Sequence, residues 1–135
     1  MSRLTKEEIS AELHSSSQAI ADITGKTVEL FRPPYGDYND LLITTAEAEG
    51  LFTIQWDVDS LDWKDLSAND IAMRVINAVQ PGSIILMHNN GLHTAESLPV
   101  IISTLKNRGY TFKSIGQMIY RDGYTLDSDG RQQLT

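Results

Sequence analysis

Apolar positions along this chain switch repeatedly between a helical period and short strand-like runs. Thr5-Lys6-Glu7-Glu8 has the form of a capping box, and Ile9, Leu13, Ile20 and Ile23 follow it at helical spacing. Gly25 is the expected stop. Residues 28–31 form a short strand candidate, ended by Pro33-Pro34 because proline cannot donate to a sheet ladder. Residues 39–49 read as a second helix closed by Gly50, and residues 51–56 as a second strand. Residues 67–79 predict a helix with Ile71, Val75, Ile76 and Val79 inward, stopped by Pro81-Gly82. Residues 83–87 are continuously apolar after Ser83, the pattern of a strand buried on both faces. Thr94 is the expected cap of a helix with Leu98, Ile101, Ile102 and Leu105 inward. Residues 111–113 predict a last strand, and Ser114 opens a final helix. The polar tail, residues 122–135, reads as a frayed extension of a domain spanning residues 1–121.

Helix and strand alternate throughout, which predicts an α/β fold with about four parallel strands joined by helical crossovers. The strands could belong to an open sheet or to half of a barrel. The polar, unusual residues all follow strands: Arg32-Pro33-Pro34-Tyr35-Gly36, the stretch from Asp57 to Trp63, and His88-Asn89-Asn90. In parallel α/β folds the C-terminal strand ends hold the site, so Arg32, Asp62 and His88 are expected on one face.

Composition narrows the partners. The net charge of −7 disfavours nucleic acid and anionic membrane surfaces, which require a basic face. With no cysteine, disulfides and thiolate metal sites are excluded. No apolar run approaches a membrane span, and the polar opening of residues 1–10 shows no signal peptide. A length of 135 residues favours one domain.

Each candidate has a plain alternative. Arg32 at a proline-fixed corner can aim its planar guanidinium at a carboxylate, or form only a surface ion pair. Asp57, Asp59 and Asp62 could bind a cation, orient a histidine or cap a loop. His88 at a strand end is placed to act as an acid or base, or is a satisfied core histidine. Trp63 taken alone is a wall or core residue. His14 and His93 read as solvated bystanders, and Asn89-Asn90-Gly91 as a turn. No pair among the three histidines has helical zinc-ligand spacing, so no metal ligand is assigned. There is no Gly-rich phosphate loop and no Gly-x-Ser-x-Gly elbow.

Taken together, these stretches resemble the polysaccharide deacetylase family, also called the NodB homology domain or carbohydrate esterase family 4. Arg32-Pro33-Pro34-Tyr35-Gly36 is similar to its Arg-x-Pro-Tyr/Phe-Gly motif. Asp59-Ser60-Leu61-Asp62-Trp63 resembles its Asp-and-Trp motif, and Leu86-Met87-His88 its Leu-x-His motif. The resemblance runs from about Leu4 to Tyr120, and it implies the C-terminal half of a distorted (β/α) barrel. The family's Asp-Asp pair and its His-x-x-x-His metal ligands have no counterpart here. In the family, the stretch resembling residues 2–8 follows those histidines.

The resemblance implies hydrolysis of an acetyl group, expected on nitrogen, from a glycan such as peptidoglycan or a chitin-like oligomer. A divalent metal, typically Zn2+, is implied for the intact enzyme and not for this chain, which alone is expected to be inactive. His88 would be the general acid. Asp62 would orient it, with Asp59 as the alternative. Arg32 would pair with a carboxylate base, and the Tyr35 backbone N–H would stabilise the oxyanion. Trp63, Leu86, Pro34 and Asp59 would line the substrate cleft. An extracellular or cell-envelope location is implied, and a half barrel would pair with a second copy or a separately encoded N-terminal half. The alternatives are a non-catalytic glycan-binding or interaction module and an unrelated α/β domain.

Overall fold

The computed structural model describes residues 1–135 and divides into two compact units, Met1–Gln55 and Trp56–Thr135. No helix is long and apolar enough to cross a membrane.

In the first unit, α1 (Lys6–Thr24) begins at the expected capping box. Thr5 Oγ1 accepts from the Glu8 N–H at 3.3 Å, and Glu8 Oε2 accepts from the Thr5 N–H at 2.8 Å. Gly25 ends the helix in the left-handed conformation at φ 67°. Strand β1 (Leu30–Phe31) leads through a tight turn over Pro34–Gly36 to α2 (Asp40–Ala48). Asn39 caps α2 by accepting from the Leu42 N–H at 2.9 Å. Strand β2 (Phe52–Thr53) then pairs in parallel with β1, Leu30 opposite Phe52. Ile9, Leu13, Leu42, Ala46 and Leu51 form the core, flanked by Met1, Leu4, Val28 and Phe31. The helical period of α1 also carries Ile20 and Ile23. Both are exposed, at 49% and 87%, because the unit's core reaches only the helix turns that carry Ile9 and Leu13.

In the second unit, strand β3 (Val58–Asp59) pairs in parallel with β4 (Ile85–Leu86), Val58 opposite Ile85 and Asp59 opposite Leu86. Helix α3 (Ala68–Ala78) starts at Ser67, whose hydroxyl accepts from the Asp70 N–H at 3.2 Å. Helix α4 (Thr94–Asn107) and the short α5 (Ile115–Met118) follow. Val58, Ile71, Ala72, Val75, Ile76, Ile101 and Leu105 form this core. Leu98 and Ile102, expected inward, lie on the exposed flank of α4.

Four parallel strands are present, but one differs from those expected. β3 lies inside the acidic stretch, where polar composition hid a ladder supplied by β4. Residues 111–113 pair with no strand. Residues 83–87 are half-buried instead of enclosed on both faces, since the sheet here has only two strands. The tail is not frayed: β5 (Tyr124–Leu126) and β6 (Gln132–Leu134) form an antiparallel hairpin. The Asp127 carboxylate accepts from the N–H groups of Asp129 and Arg131 at 3.0 and 2.9 Å and so shapes its turn. The Gln132 amide donates to the Tyr120 carbonyl at 2.8 Å and accepts from the Tyr120 N–H at 2.7 Å, tying the hairpin to the chain before it.

Candidate active site

The carboxylate of Asp62 is the organising feature of the second unit. It lies in a 3-10 turn (Asp62–Lys64) just beyond β3 and is fully buried. A buried carboxylate must have its oxygens satisfied. Here Oδ2 accepts from the His88 backbone N–H at 2.8 Å and from the Thr94 hydroxyl at 2.7 Å. Oδ1 meets His88 Nδ1 at 2.7 Å. Burial pushes the carboxyl pKa up. The hydrogen bonds from Thr94, the His88 N–H, the His88 ring and Ser60 more than offset it, and the pKa falls from 3.8 to about 2. Asp62 is therefore an anion at neutral pH.

An anionic carboxylate only accepts hydrogen bonds, so Nδ1 carries the proton that it receives. That fixes the tautomer of neutral His88 and leaves Nε2 as the nitrogen that can exchange a proton with another molecule. His88 lies two residues beyond the end of β4, and its side chain is 37% exposed. The pair can thus hold and move a proton at Nε2 while the ring orientation is fixed from behind.

Asp59, the other candidate partner, is occupied differently. Its carboxylate accepts from the Leu61 N–H at 3.0 Å, which is a loop-capping bond, and its carbonyl accepts from Arg74 Nε at 2.7 Å. Asp57 also serves structure: it accepts from Ser83 Oγ at 2.6 Å and from the Ile84 N–H at 2.7 Å, and pairs with Arg131 at 3.3 Å. Leu86 is half-buried opposite Asp59 in the ladder. Trp63 is 54% exposed, with Lys64 Nζ 5.1 Å from its ring centre. The His93 ring meets the carboxylate of its neighbour Glu96 at 3.1 Å.

Arg32, Pro34 and Tyr35 belong to the first unit. Pro33 is buried and anchors the corner, while Arg32 and Pro34 are exposed. Tyr35 has φ 59°, a conformation that costs a non-glycine residue about 1 kcal/mol or more, and its side chain is fully exposed. The Gly36 N–H donates to the Pro33 carbonyl at 2.9 Å, and the Gly36 carbonyl accepts from the Gln55 amide at 2.8 Å. The turn therefore presents Tyr35 in a fixed, strained backbone.

Two residues at the site carried no functional reading in the sequence. Thr94, expected to cap α4, is its first helical residue; its hydroxyl goes to Asp62, and His93 in the cap position makes no side-chain cap bond. Gly91, expected as an ordinary turn glycine, lies outside the left-handed region. It is needed for space: a Cβ there would sit 2.1 Å from Thr94 Oγ1 and 3.1 Å from Asp62 Oδ2. The only sequence signal was a glycine and a hydroxyl residue three apart just after His88.

The chain holds no group of three His, Asp or Glu side chains arranged to bind a metal ion. Asp62 and Nδ1 of His88 are committed to one another. The donors present do not fit the catalytic metal that the resemblance implies.

A family model described as Polysaccharide deacetylase matches residues 1–54. Peptidoglycan-N-acetylglucosamine deacetylase PgdA of Listeria monocytogenes is 34% identical over 118 residues, which cover 87% of this chain and 25% of that protein. Peptidoglycan-N-acetylmuramic acid deacetylase PdaA of Bacillus subtilis is 34% identical over 128 residues, 92% of this chain and 49% of that protein. Among solved structures, a CE4 family pseudoenzyme from Bacillus anthracis superposes with a TM-score of 0.83 at 33% identity, covering 87% of this chain and 42% of that one. The chain spans between a quarter and a half of these curated relatives.

Proposed function

Since this chain belongs to the polysaccharide deacetylase family and carries part of that family's domain, we infer that it supplies the proton-donating side of a carbohydrate deacetylase site. The substrate class is an acetylated glycan of the cell envelope, expected to be N-acetylated peptidoglycan given the activities named for the relatives. The observation that carries this reading is the buried Asp62 carboxylate bonded to Nδ1 of a half-exposed His88.

The reaction hydrolyses an amide. Water adds to the acyl carbon, the C–N bond breaks, and acetate and a sugar amine leave. The amine nitrogen needs a proton as the bond breaks, and protonated His88 gives it from Nε2. Asp62 holds the ring through Nδ1 so that Nε2 faces outward for the transfer. Arg32 would pair with a carboxylate base, and the Tyr35 N–H, in its strained turn, would stabilise the oxyanion. Leu86 and Trp63 would line the cleft beside His88; Asp59 would brace its loop. The divalent metal of the intact enzyme, Zn2+ by resemblance, would take its ligands from residues other than these.

Turnover on an N-acetylated glycan, with acetate as the readout, tests this. The 135-residue chain alone should give none. Joined to a metal-binding half of the family domain it should turn over, and His88→Ala should then lower kcat by about 10²–10⁴-fold with little change in KM. Normal kcat in His88→Ala would refute the acid role. A second reading, a non-catalytic glycan-binding module, draws support from similarity to a protein titled a pseudoenzyme. Retained glycan binding without acetate release in the joined protein would favour it.

A further inference from the structure

The reading above uses Asp62 and His88 and leaves unexplained what holds the carboxylate in the one rotation that serves His88. We propose that Thr94 and Gly91 act together as positioning residues for the Asp62–His88 pair, Thr94 by pinning Oδ2 and Gly91 by leaving the space in which the Thr94 hydroxyl reaches it. The catalytic meaning of this proposal rests on the proposed function; the geometry does not.

A carboxylate on a short side chain can rotate about its Cβ–Cγ bond and offer either oxygen in many directions. Two donors on one oxygen remove that freedom. Here the His88 N–H and the Thr94 hydroxyl both meet Oδ2, at 2.8 and 2.7 Å, which directs Oδ1 at Nδ1 of His88. The Thr94 hydroxyl has a single proton, and that proton goes to Asp62. Thr94 opens α4, and α4 is fixed by Ile101 and Leu105 in the core. The position of the hydroxyl is thereby set by the helix and not by a mobile loop. Thr94 is β-branched, so few alternative rotamers are open to it.

Gly91 completes the arrangement. A Cβ at 2.1 Å from Thr94 Oγ1 is sterically impossible, and the backbone of Asp62, 3.2 Å from the same point, blocks a shift the other way. An alanine at 91 would be accommodated by turning Thr94 out of its rotamer, which breaks the bond to Asp62. Gly91 therefore acts chiefly through Thr94, the 3.1 Å approach of such a Cβ to Asp62 Oδ2 being the lesser contact.

The test reads the His88 ring by NMR in the full 135-residue chain and needs no turnover. Thr94→Val keeps the shape and removes the hydroxyl; Thr94→Ala is the fallback if Val does not fold. Either should make the Nδ1–H exchange with solvent about tenfold faster, the factor set by losing one ordinary hydrogen bond, and shift the ring nitrogens toward mixed tautomers. Thr94→Ser should keep the native signature. Amide signals of Ile101 and Leu105 report that the fold is intact. Gly91→Ala should reproduce the Thr94→Val spectrum, and its effect should be much smaller in a Thr94→Ala background, where only the contacts at 3.1 and 3.2 Å to Asp62 remain. A folded Thr94→Val with unchanged Nδ1–H exchange and tautomer overturns the proposal, as does a Gly91→Ala effect of equal size when Thr94 is already alanine. These outcomes stand whether or not His88→Ala affects turnover.

Discussion

Two turns follow two short parallel strand pairs, and they are shaped by opposite means. The corner after β1 owes its form to the main chain: Pro33 and Pro34 fix φ, and Tyr35 and Gly36 both sit at positive φ, 59° and 67°. Its side chains at 34 and 35 are exposed. The cluster after β3 and β4 owes its form to side chains: one buried carboxylate accepts from a main-chain N–H, an imidazole and a hydroxyl. A backbone-shaped turn tolerates side-chain change and is sensitive to φ. A side-chain-shaped cluster fails when one group is removed, because its half-buried partners lose a charged acceptor together.

The largest expected effect follows from that asymmetry. Asp62→Ala strands the His88 N–H, the His88 ring and the Thr94 hydroxyl, and should destabilise the second unit by roughly 3 kcal/mol. Urea unfolding followed by tryptophan fluorescence checks it, since both tryptophans, Trp56 and Trp63, lie in that unit. A loss no greater than for an average surface change would mean the cluster is not what holds this region.

Acid should produce the next effect. The Asp62 pKa is about 2 when folded and 3.8 when not, so the folded state binds its proton later. A lowered carboxylate contributes stability above the unfolded pKa, and that stability is lost as pH falls through the folded one. The expected loss is about 2 kcal/mol between about pH 4 and about pH 2. Asp62→Asn removes this titration, so the pH dependence of its unfolding should flatten in the same window. An unchanged slope would assign the acid sensitivity elsewhere.

For the backbone-shaped corner the expectations are smaller and opposite in sign. Gly36→Ala should destabilise the first unit by about 1 kcal/mol, because alanine pays for positive φ. Tyr35→Gly should relieve strain and stabilise by no more than about 1 kcal/mol, part of the gain being offset by unfolded-chain entropy. Circular dichroism in urea measures both. A destabilising Tyr35→Gly would show that the exposed ring contributes contacts of its own. Smallest of all is Asp59→Asn, which keeps an oxygen for the Leu61 N–H and should stay within about 0.5 kcal/mol of the parent.

The sequence by itself determined the helices, because their signals are local. Thr5, Asn39 and Ser67 each stand where a first-turn N–H needs an acceptor, and a glycine at 25 ends α1 where positive φ is required. It also marked out the polar stretches beside the apolar runs and offered Asp57, Asp59, Asp62 and His88 as candidates, since their residue types are unusual there. What it could not determine depends on partners distant in sequence. β3 is a strand only because β4 lies beside it, residues 111–113 are not one because no ladder reaches them, and the tail is a hairpin through Gln132 and Tyr120. Whether Ile23 is covered depends on how far the core extends under α1, which a period cannot express. Asp59 and Asp62 are nearly equivalent in sequence. Tertiary structure separates them by turning one toward its own loop and burying the other where His88, Thr94 and the space at Gly91 converge. A hydrogen bond between residues 62 and 94 leaves no periodic trace, so only the folded chain could assign the Thr94 hydroxyl to Asp62 and not to its helix.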